Sequence, residues 1–394
     1  MARGISHSLS TPKLGLMRIL AIHNILWSHY KARIFNGIYE SLHLQGVDFF
    51  VVQMAYSERS RLALKTDSSI HQYPYKVLFS DEAVEDISAL ERIGKLTKAV
   101  KDYKPDIIYL NGYYDIAYWF VVFYCRLNKV KLIIDFESNE ISRKRVWWKE
   151  YLKMFFLRQC NGLVCLGQKA AEYAVKLKVP PAKILTTKNV GVDNDALLSI
   201  FKKESHLKEK RKKELNLPLY NFIYAGRFVE RKNLIRLITA FHYAKYDAKN
   251  GKDWGLILSG EGEQKEALVK LVSTLTNPSV FFLDPCEWYE VPIRYTLADV
   301  AVLPSTFEPF GFLTNEAMVY SMPVLVSNRC GSAADLVKDG YNGFQFDPYN
   351  EDDLKDKLMV LMSRTGEFET LGANGKLIID QWAPDIIVKS LLGN

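Results

Sequence analysis

The run Val300-Ala301-Val302-Leu303-Pro304-Ser305, followed by Glu308-Pro309-Phe310-Gly311-Phe312-Leu313-Thr314-Asn315-Glu316, reads as a strand, a loop and the start of a helix. Glu308 falls in the loop at the strand's carboxyl end. Gly311 permits a tight turn, and the helical pattern begins at Leu313. Glu316 then sits in the first turn, on the side that looks back at the loop. The backbone N–H groups of Gly311 to Leu313 are those a helix start leaves unpaired, a ready seat for phosphate. Carboxylates on either side can accept hydrogen bonds from sugar and ribose hydroxyls. Glutamate is common at helix starts for reasons of the helix dipole alone. The strand–loop–helix setting is what makes this pair informative.

Outward from this run, short apolar strands alternate with amphipathic helical patterns along nearly the whole chain, which implies parallel sheets covered by helices. Strands are expected at residues 18–23, 48–54, 107–110, 132–135, 162–165 and 184–187. A second series is expected at 222–225, 256–259, 280–283, 300–303, 324–326 and 344–346. Helices are expected between them, among others at 34–45, 87–103, 146–159, 234–248, 265–275 and 313–320. The alternation breaks at 189–217, where seven of the twelve residues from Lys202 to Lys213 are Lys or Arg. The fold class is therefore α/β, with two facing Rossmann-like doubly wound domains. Residues 1–16 read as a loose N-terminal extension and 17–195 as the first domain. A linker with a basic helix follows over 196–217, then the second domain over 218–380. A closing segment, 381–394, crosses back to the first domain. Ligands in such sheets bind at the carboxyl ends of the strands, here in the cleft between domains.

A length of 394 residues suits two domains, and 48% hydrophobic with 25% charged residues is an ordinary globular composition. The net charge of +7 favours anionic partners. The five cysteines show no C-x-x-C pair or zinc spacing and read as core residues. The polar start shows no secretory signal, and the apolar run from Ile116 to Cys125 is too short to span a bilayer. The reading is a cytoplasmic protein, peripheral at the inner membrane face. The seven histidines form no ligand spacing, so no metal and no cofactor is expected.

Two further stretches carry chemistry. Tyr224-Ala225-Gly226-Arg227-Phe228-Val229-Glu230-Arg231-Lys232-Asn233 ends a strand with a glycine that admits close approach. Arg227 and Lys232 offer a planar fork and a point charge to a diphosphate, although a solvated basic loop would read the same way. Leu258-Ser259-Gly260-Glu261-Gly262-Glu263 is a strand running into a glycine turn, weak as a motif and useful for its place in the chain.

In this order the residues resemble the retaining GT-B glycosyltransferases of family 4. The likeness runs from Gly226 to Gly343 and includes Ala298-Asp299-Val300, Pro323-Val324-Leu325-Val326 and Asp339-Gly340-Tyr341-Asn342-Gly343. It implies a nucleoside-diphosphate sugar as donor and a saccharide or glycolipid as acceptor. Arg227 and Lys232 would neutralise the diphosphate, and Glu316 would hold the ribose. Glu308 and the amides of Phe310, Gly311, Phe312 and Leu313 would hold the donor sugar. Gly226 would admit the diphosphate, and the Gly260-Glu261-Gly262 turn with the loop 283–286 would border the base. Glu308, Arg227 and Lys232 form the expected catalytic set.

The first half departs from the family's pattern. After its first strand it lacks the glycine pair, and Lys31 or Arg33 is expected to supply charge instead. After the fifth strand it lacks a histidine, and Asp135 or Glu137 stands there on the acceptor side. Asp193-Asn194-Asp195 is formally a D-x-D, but the resemblance places an ordinary turn there. A sugar-nucleotide epimerase and a non-catalytic binding subunit of the same architecture are the alternatives. The basic run arrives without a nucleic-acid-binding module, and no nucleic-acid partner is expected.

One segment points to a partner of another kind. On a helical wheel Trp147, Trp148, Tyr151, Leu152, Met154 and Phe155 share a face, with Arg145, Lys149 and Lys153 beside it. Such a face either packs on the sheet or seats in a lipid headgroup region.

Overall fold

Strands of nearly unbroken apolar sequence pair in parallel when helices bury both faces of their sheet, and this pattern dominates the chain. The computed structural model describes residues 16–26, 29–59, 68–140, 146–189, 194–276, 278–287 and 289–393. The extension expected over 1–16 lies outside these but for Leu16, as do Arg145 and Asp193. Contacts divide the chain into two compact units, Met1–Asp193 with Trp382–Asn394, and Asn194–Gln381.

In the first unit the elements run β1 (Arg18–Ile25), α1 (His29–Leu44), β2 (Asp48–Ser57), β3 (Tyr75–Ala83), α2 (Ala89–Tyr103), β4 (Ile107–Asn111) and α3 (Ala117–Asn128). They continue with β5 (Lys131–Phe136), α4 (Trp147–Arg158), β6 (Gly162–Cys165), α5 (Gln168–Lys176) and β7 (Ile184–Thr186). The seven-stranded sheet has the order β3-β2-β1-β4-β5-β6-β7, with every pair parallel. Helices α2 to α5 cover one face, around Leu96, Tyr118, Phe156 and Ala174. The other face is covered by α1, with Phe35 and Ile38, and by residues Ile387 and Leu391 from the chain's end.

In the second unit come α6 (Asn194–Glu204), α7 (Lys208–Glu214), β8 (Tyr220–Ala225), α8 (Leu234–Asp247), β9 (Trp254–Ser259), α9 (Lys265–Thr274), β10 (Val280–Leu283) and α10 (Val291–Tyr295). After them come β11 (Val300–Leu303), α11 (Phe312–Val319), β12 (Val324–Ser327), α12 (Gly331–Leu336), β13 (Gly343–Phe346), α13 (Glu351–Ser363) and α14 (Phe368–Ile379). The last helix, α15 (Pro384–Leu392), belongs to the first unit, where the Lys131 ammonium donates to the Leu391 carbonyl. The second sheet has the order β10-β9-β8-β11-β12-β13, again all parallel. Its order reverses between β8 and β11, the place where such sheets open a crevice beyond their carboxyl ends.

Two features differ from the sequence reading. The edge strand β3 was not expected, because Ser80, Asp81 and Glu82 break its apolar pattern. Exposed charge of that kind suits an edge strand, which must not pair further. The stretch read as linker and basic helix forms α6 and α7 within the second unit. Phe201 of α6 stacks on Tyr320, ring centroids 4.5 Å apart. Lys208 pairs with Asp299 at 2.8 Å, Arg211 pairs with Glu204 at 2.6 Å, and the buried Lys212 donates to the Leu219 carbonyl. Much of that positive charge is tied down inside the unit.

Candidate functional site

Three loops leave the carboxyl ends of the neighbouring strands β9, β8 and β11, and their backbones are stitched together. From the loop after β8, the Gly226 amide donates to Ser259 and the Phe228 amide to Glu261, at 2.9 and 2.7 Å. Glycine is required for this contact. A Cβ on Gly260 would lie 2.0 Å from the Gly226 carbonyl oxygen, and one on Gly262 would lie 2.4 Å from that of Phe228. The Gly260-Glu261-Gly262 turn is thus a backbone-to-backbone seam. Glu261 itself is exposed and pairs with Lys265 at 2.9 Å.

The loop after β8 is also tied to the loop after β11. The Thr306 amide donates to the Arg231 carbonyl at 2.9 Å, and the Asn233 side chain donates to the Pro304 carbonyl at 3.2 Å. Glu308 is fixed from the other side, because the Gly331 amide donates to its carbonyl at 3.2 Å. These ties place Lys232 against the Glu308 carboxylate, which also takes Arg231 at 3.2 Å and the Ser305 hydroxyl at 3.1 Å. Both partners are withdrawn from solvent: the Lys232 side chain is 14% exposed and that of Glu308 8%. Lys232 is therefore held by a partner in the site's interior, whereas Arg227 is exposed and has no ion-pair partner among the described residues. Arg231, which the sequence reading passed over, is the third charge of this cluster. Only its place beside Lys232 would have pointed to it.

Gly311 takes a left-handed conformation, φ +101°, and caps α11. The chain can therefore turn from the buried Phe310 into a helix whose residues from Leu313 to Val319 are all buried, with Phe312 half-exposed. Glu316 lies in that helix and accepts a hydrogen bond from the Tyr295 hydroxyl at 3.0 Å. Burial raises its pKa to about 7, while Tyr295 and Lys232 pull in the opposite direction. Tyr295 is fully buried and packs on Tyr320, centroids 5.1 Å apart. Asn194, the middle residue of the D-x-D, accepts from the Asn315 side chain at 2.7 Å. Among the described residues no group of three or more His, Cys, Asp or Glu could hold a metal ion.

The first unit gathers its own charges at the carboxyl end of β5. Asp135 is buried and accepts from Lys31 at 2.6 Å, from Asn111 at 2.9 Å and from Asn189. Lys31 also pairs with Glu137 at 2.7 Å. Burial alone would lower the Lys31 pKa, but Asp135 and Glu137 hold it above the usual lysine range. Two expectations change accordingly. Lys31 is neutralised by two carboxylates rather than offering spare charge, and Asp135 is an interior anchor with its oxygens occupied. Glu137, half-exposed, is the member that faces solvent. Arg33 lies two residues beyond Lys31, roughly 200° around the helix, and the cluster is built on Lys31. His23 was not anticipated. It is buried, meets Gln53 at 2.9 Å, and burial with Lys31 nearby lowers its pKa to about 4, so it is neutral at pH 7.

Two family models match the chain. The one described as Glycosyl transferases group 1 covers residues 206–377, and the one described as Glycosyltransferase Family 4 covers 35–194. The chain belongs to the group 1 glycosyltransferases of family 4. Among its relatives is an uncharacterised glycosyltransferase of Methanocaldococcus jannaschii, 32% identical over 158 residues. That match covers 40% of this chain and 42% of the relative, less than half of its length. Longer, at 78% of each chain and 25% identity, is the match to an alpha-1,4-N-acetyl-D-galactosaminyltransferase of Campylobacter jejuni that acts on an undecaprenol-linked saccharide. Among solved structures, Anabaena HepE in complex with UDP and glucose superposes with a TM-score of 0.70 at 17% identity. It covers 96% of this chain and 100% of HepE, and it shows the fold: two Rossmann-like α/β domains of GT-B type.

Proposed function

We propose that this family member transfers a sugar, with retention of configuration and without a metal ion, from a nucleoside-diphosphate sugar to a saccharide or lipid-linked acceptor. The carrying observation is the cluster in which Lys232 and Arg231 meet Glu308, beside the start of α11. Departure of the nucleoside diphosphate adds negative charge to the leaving oxygen. Lys232, Arg227 and the positive end of α11 are preorganised donors for that charge. Glu308, with Phe310 to Leu313, holds the donor sugar, and Glu316 holds the ribose hydroxyls. The Gly260–Gly262 turn borders the base, uridine or guanosine. The reading is supported by the family's membership and by the UDP and glucose found with HepE. Cell-surface polysaccharide or glycoconjugate synthesis is the setting suggested by a Staphylococcus aureus relative, a capsular polysaccharide biosynthesis glycosyltransferase 28% identical over 217 residues.

A thermal-shift screen tests the donor class. A nucleoside diphosphate at 100 times its dissociation constant should stabilise the protein by about 2.7 kcal/mol, and at equal concentration uridine or guanosine diphosphate should shift the midpoint more than the other nucleoside diphosphates. No shift with any nucleoside diphosphate would remove the reading. Arg227→Ala is expected to lower turnover by roughly 10²-fold, the usual cost of one such donor, with unchanged stability because the side chain is exposed.

Glu316 gives a pH-dependent test. Its carboxyl is protonated more readily in the fold than in the unfolded chain, so its contribution to stability declines as pH rises from about 4.5 to about 7. Glu316→Gln should remove that decline in unfolding curves. Donor affinity should strengthen as the carboxyl ionises and becomes a full acceptor for ribose hydroxyls. Tyr295→Phe removes a bond to the ionised form, so it should move that midpoint upward and weaken donor binding about fivefold with little change in kcat. A large loss of kcat with unchanged affinity would contradict the assignment of Glu316 to the ribose.

A further inference from the structure

The helices α3 and α4 pack on one face of the first unit's sheet, and their outer surfaces are largely apolar where a solvated helix would be polar. On α3 and the residue before it, Ile116, Phe120, Phe123 and Leu127 recur at helical spacing, and all are exposed, Phe123 at 62% and Leu127 at 67%. On α4, Trp147, Trp148, Tyr151, Leu152 and Phe155 form a second stripe, with Trp147 exposed at 82%. The inner side of α4 is supplied by other residues, Phe156 and Leu157, with Met154 packed partly against the core. The apolar face read from the sequence is therefore not spent on the sheet. Trp119 joins the helices by stacking on Phe155, centroids 6.0 Å apart. Beside α3 a groove of about 700 Å³ opens, floored by Phe120, Phe123 and Leu127 and flanked by Lys101 and Lys104.

We propose that this face seats on an anionic phospholipid bilayer. Charge selects that occupant. Helix α3 contains no acidic residue, and the one in α4, Glu150, turns inward to Lys153 at 2.8 Å and to the Tyr173 hydroxyl at 2.5 Å. Lys101, Lys104, Lys129, Lys149 and Arg158 remain exposed around the apolar stripes. Tryptophan and tyrosine flanked by lysine suit the headgroup level, and the groove suits an acyl chain. A second copy docked through the same face would set these lysines against one another. Exposed apolar faces this continuous mark interaction sites on monomers. No helix among the described residues is long and apolar enough to cross a membrane, so the contact is one with the surface. The inference is independent of the transfer reaction.

Co-sedimentation of the whole chain with vesicles tests it. Binding is expected to phosphatidylglycerol-containing vesicles and not to phosphatidylcholine alone, and to weaken as salt rises. Lys101→Glu/Lys104→Glu/Lys149→Glu should lower the partition coefficient by roughly 100-fold, about fivefold for each site. Phe123→Ala/Trp147→Ala should lower it at least about tenfold. Both variants change exposed residues, and their unfolding midpoints should match the wild type. Brominated lipid tails provide a readout free of variants, since they should quench the wild-type tryptophan fluorescence. Equal binding to neutral and anionic vesicles, binding unchanged in the variants, or absence of quenching would overturn the proposal. So would self-association abolished by Phe123→Ala/Trp147→Ala without vesicle binding, because the face would then belong to a second copy.

Discussion

Lys232→Ala should lower turnover by roughly 10²–10³-fold while leaving the KM for the donor within a few-fold of wild type. The split follows from what Lys232 does before and after donor binding. In the structure its ammonium already faces the Glu308 carboxylate, with only 14% of the side chain exposed. A ground-state diphosphate must compete with that carboxylate, so part of the lysine's charge is spent within the protein. Once the sugar–phosphate bond stretches, the leaving oxygen gains charge and the balance tips toward the diphosphate. On the proposed reaction Lys232 would therefore contribute mainly in the transition state, which is the condition for raising kcat. Stability should fall by on the order of 1–2 kcal/mol. Breaking a buried pair outright costs about 3–5 kcal/mol, but Arg231 and Ser305 still hold Glu308. Single-turnover kinetics and denaturant unfolding on one preparation separate the two effects. Near wild-type turnover in a folded variant would exclude Lys232 from the mechanism.

Glu308→Gln should also lower turnover, but with tighter donor binding. The amide keeps the shape of the side chain and can still accept from Ser305, so the loop between β11 and α11 should hold its course. Lys232 and Arg231 lose their internal counter-charge and become available to the diphosphate. Donor binding should tighten, by up to about tenfold, while kcat falls by roughly 10²-fold. That loss reflects removal of a carboxylate from beside the sugar, where an oxocarbenium-like transition state develops positive charge. Calorimetric titration of nucleoside diphosphate and steady-state kinetics give both numbers. Weaker binding with unchanged kcat would place Glu308 in donor capture and remove it from the chemical step.

Much of this cluster was legible in the sequence because it depends on local order. Glu308, Gly311 and Glu316 lie within nine residues, and a strand, a tight turn and a helix start dictate where each stands. The apolar strands were legible for a related reason: burial on both faces leaves an apolar run with clear ends. What escaped depends on partners distant in the chain. The pairing of Arg231 with Glu308 exists only because the Thr306 amide and Asn233 tie two loops together. Tyr295 meets Glu316 across 21 residues and packs on Tyr320, which itself stacks on Phe201 of α6. Nothing in the pattern of residues 194–214 separates an exposed basic helix from two packed ones, since the apolar contacts are few and the lysine partners remote. In the first unit, Asp135 was singled out by position alone. Its burial and its three donors, drawn from α1, β4 and Asn189, make it an anchor and leave Glu137 as the outward carboxylate. The exposure of α3 and α4 was likewise beyond a helical wheel, which shows that an apolar face exists but not what covers it.

The proposed reaction is transfer of a sugar from a nucleoside diphosphate with its anomeric configuration retained. Its most direct test is product analysis by NMR after incubation with α-linked uridine- and guanosine-diphosphate sugars and a panel of saccharide and lipid-linked acceptors, in excess chelator. Stoichiometric release of nucleoside diphosphate is expected, together with an α-linked product formed undiminished by the chelator. Release of a β-linked product would contradict retention, and loss of activity in chelator would contradict metal independence. An epimerised nucleotide sugar formed without acceptor, with no glycoside at all, would contradict the transfer itself.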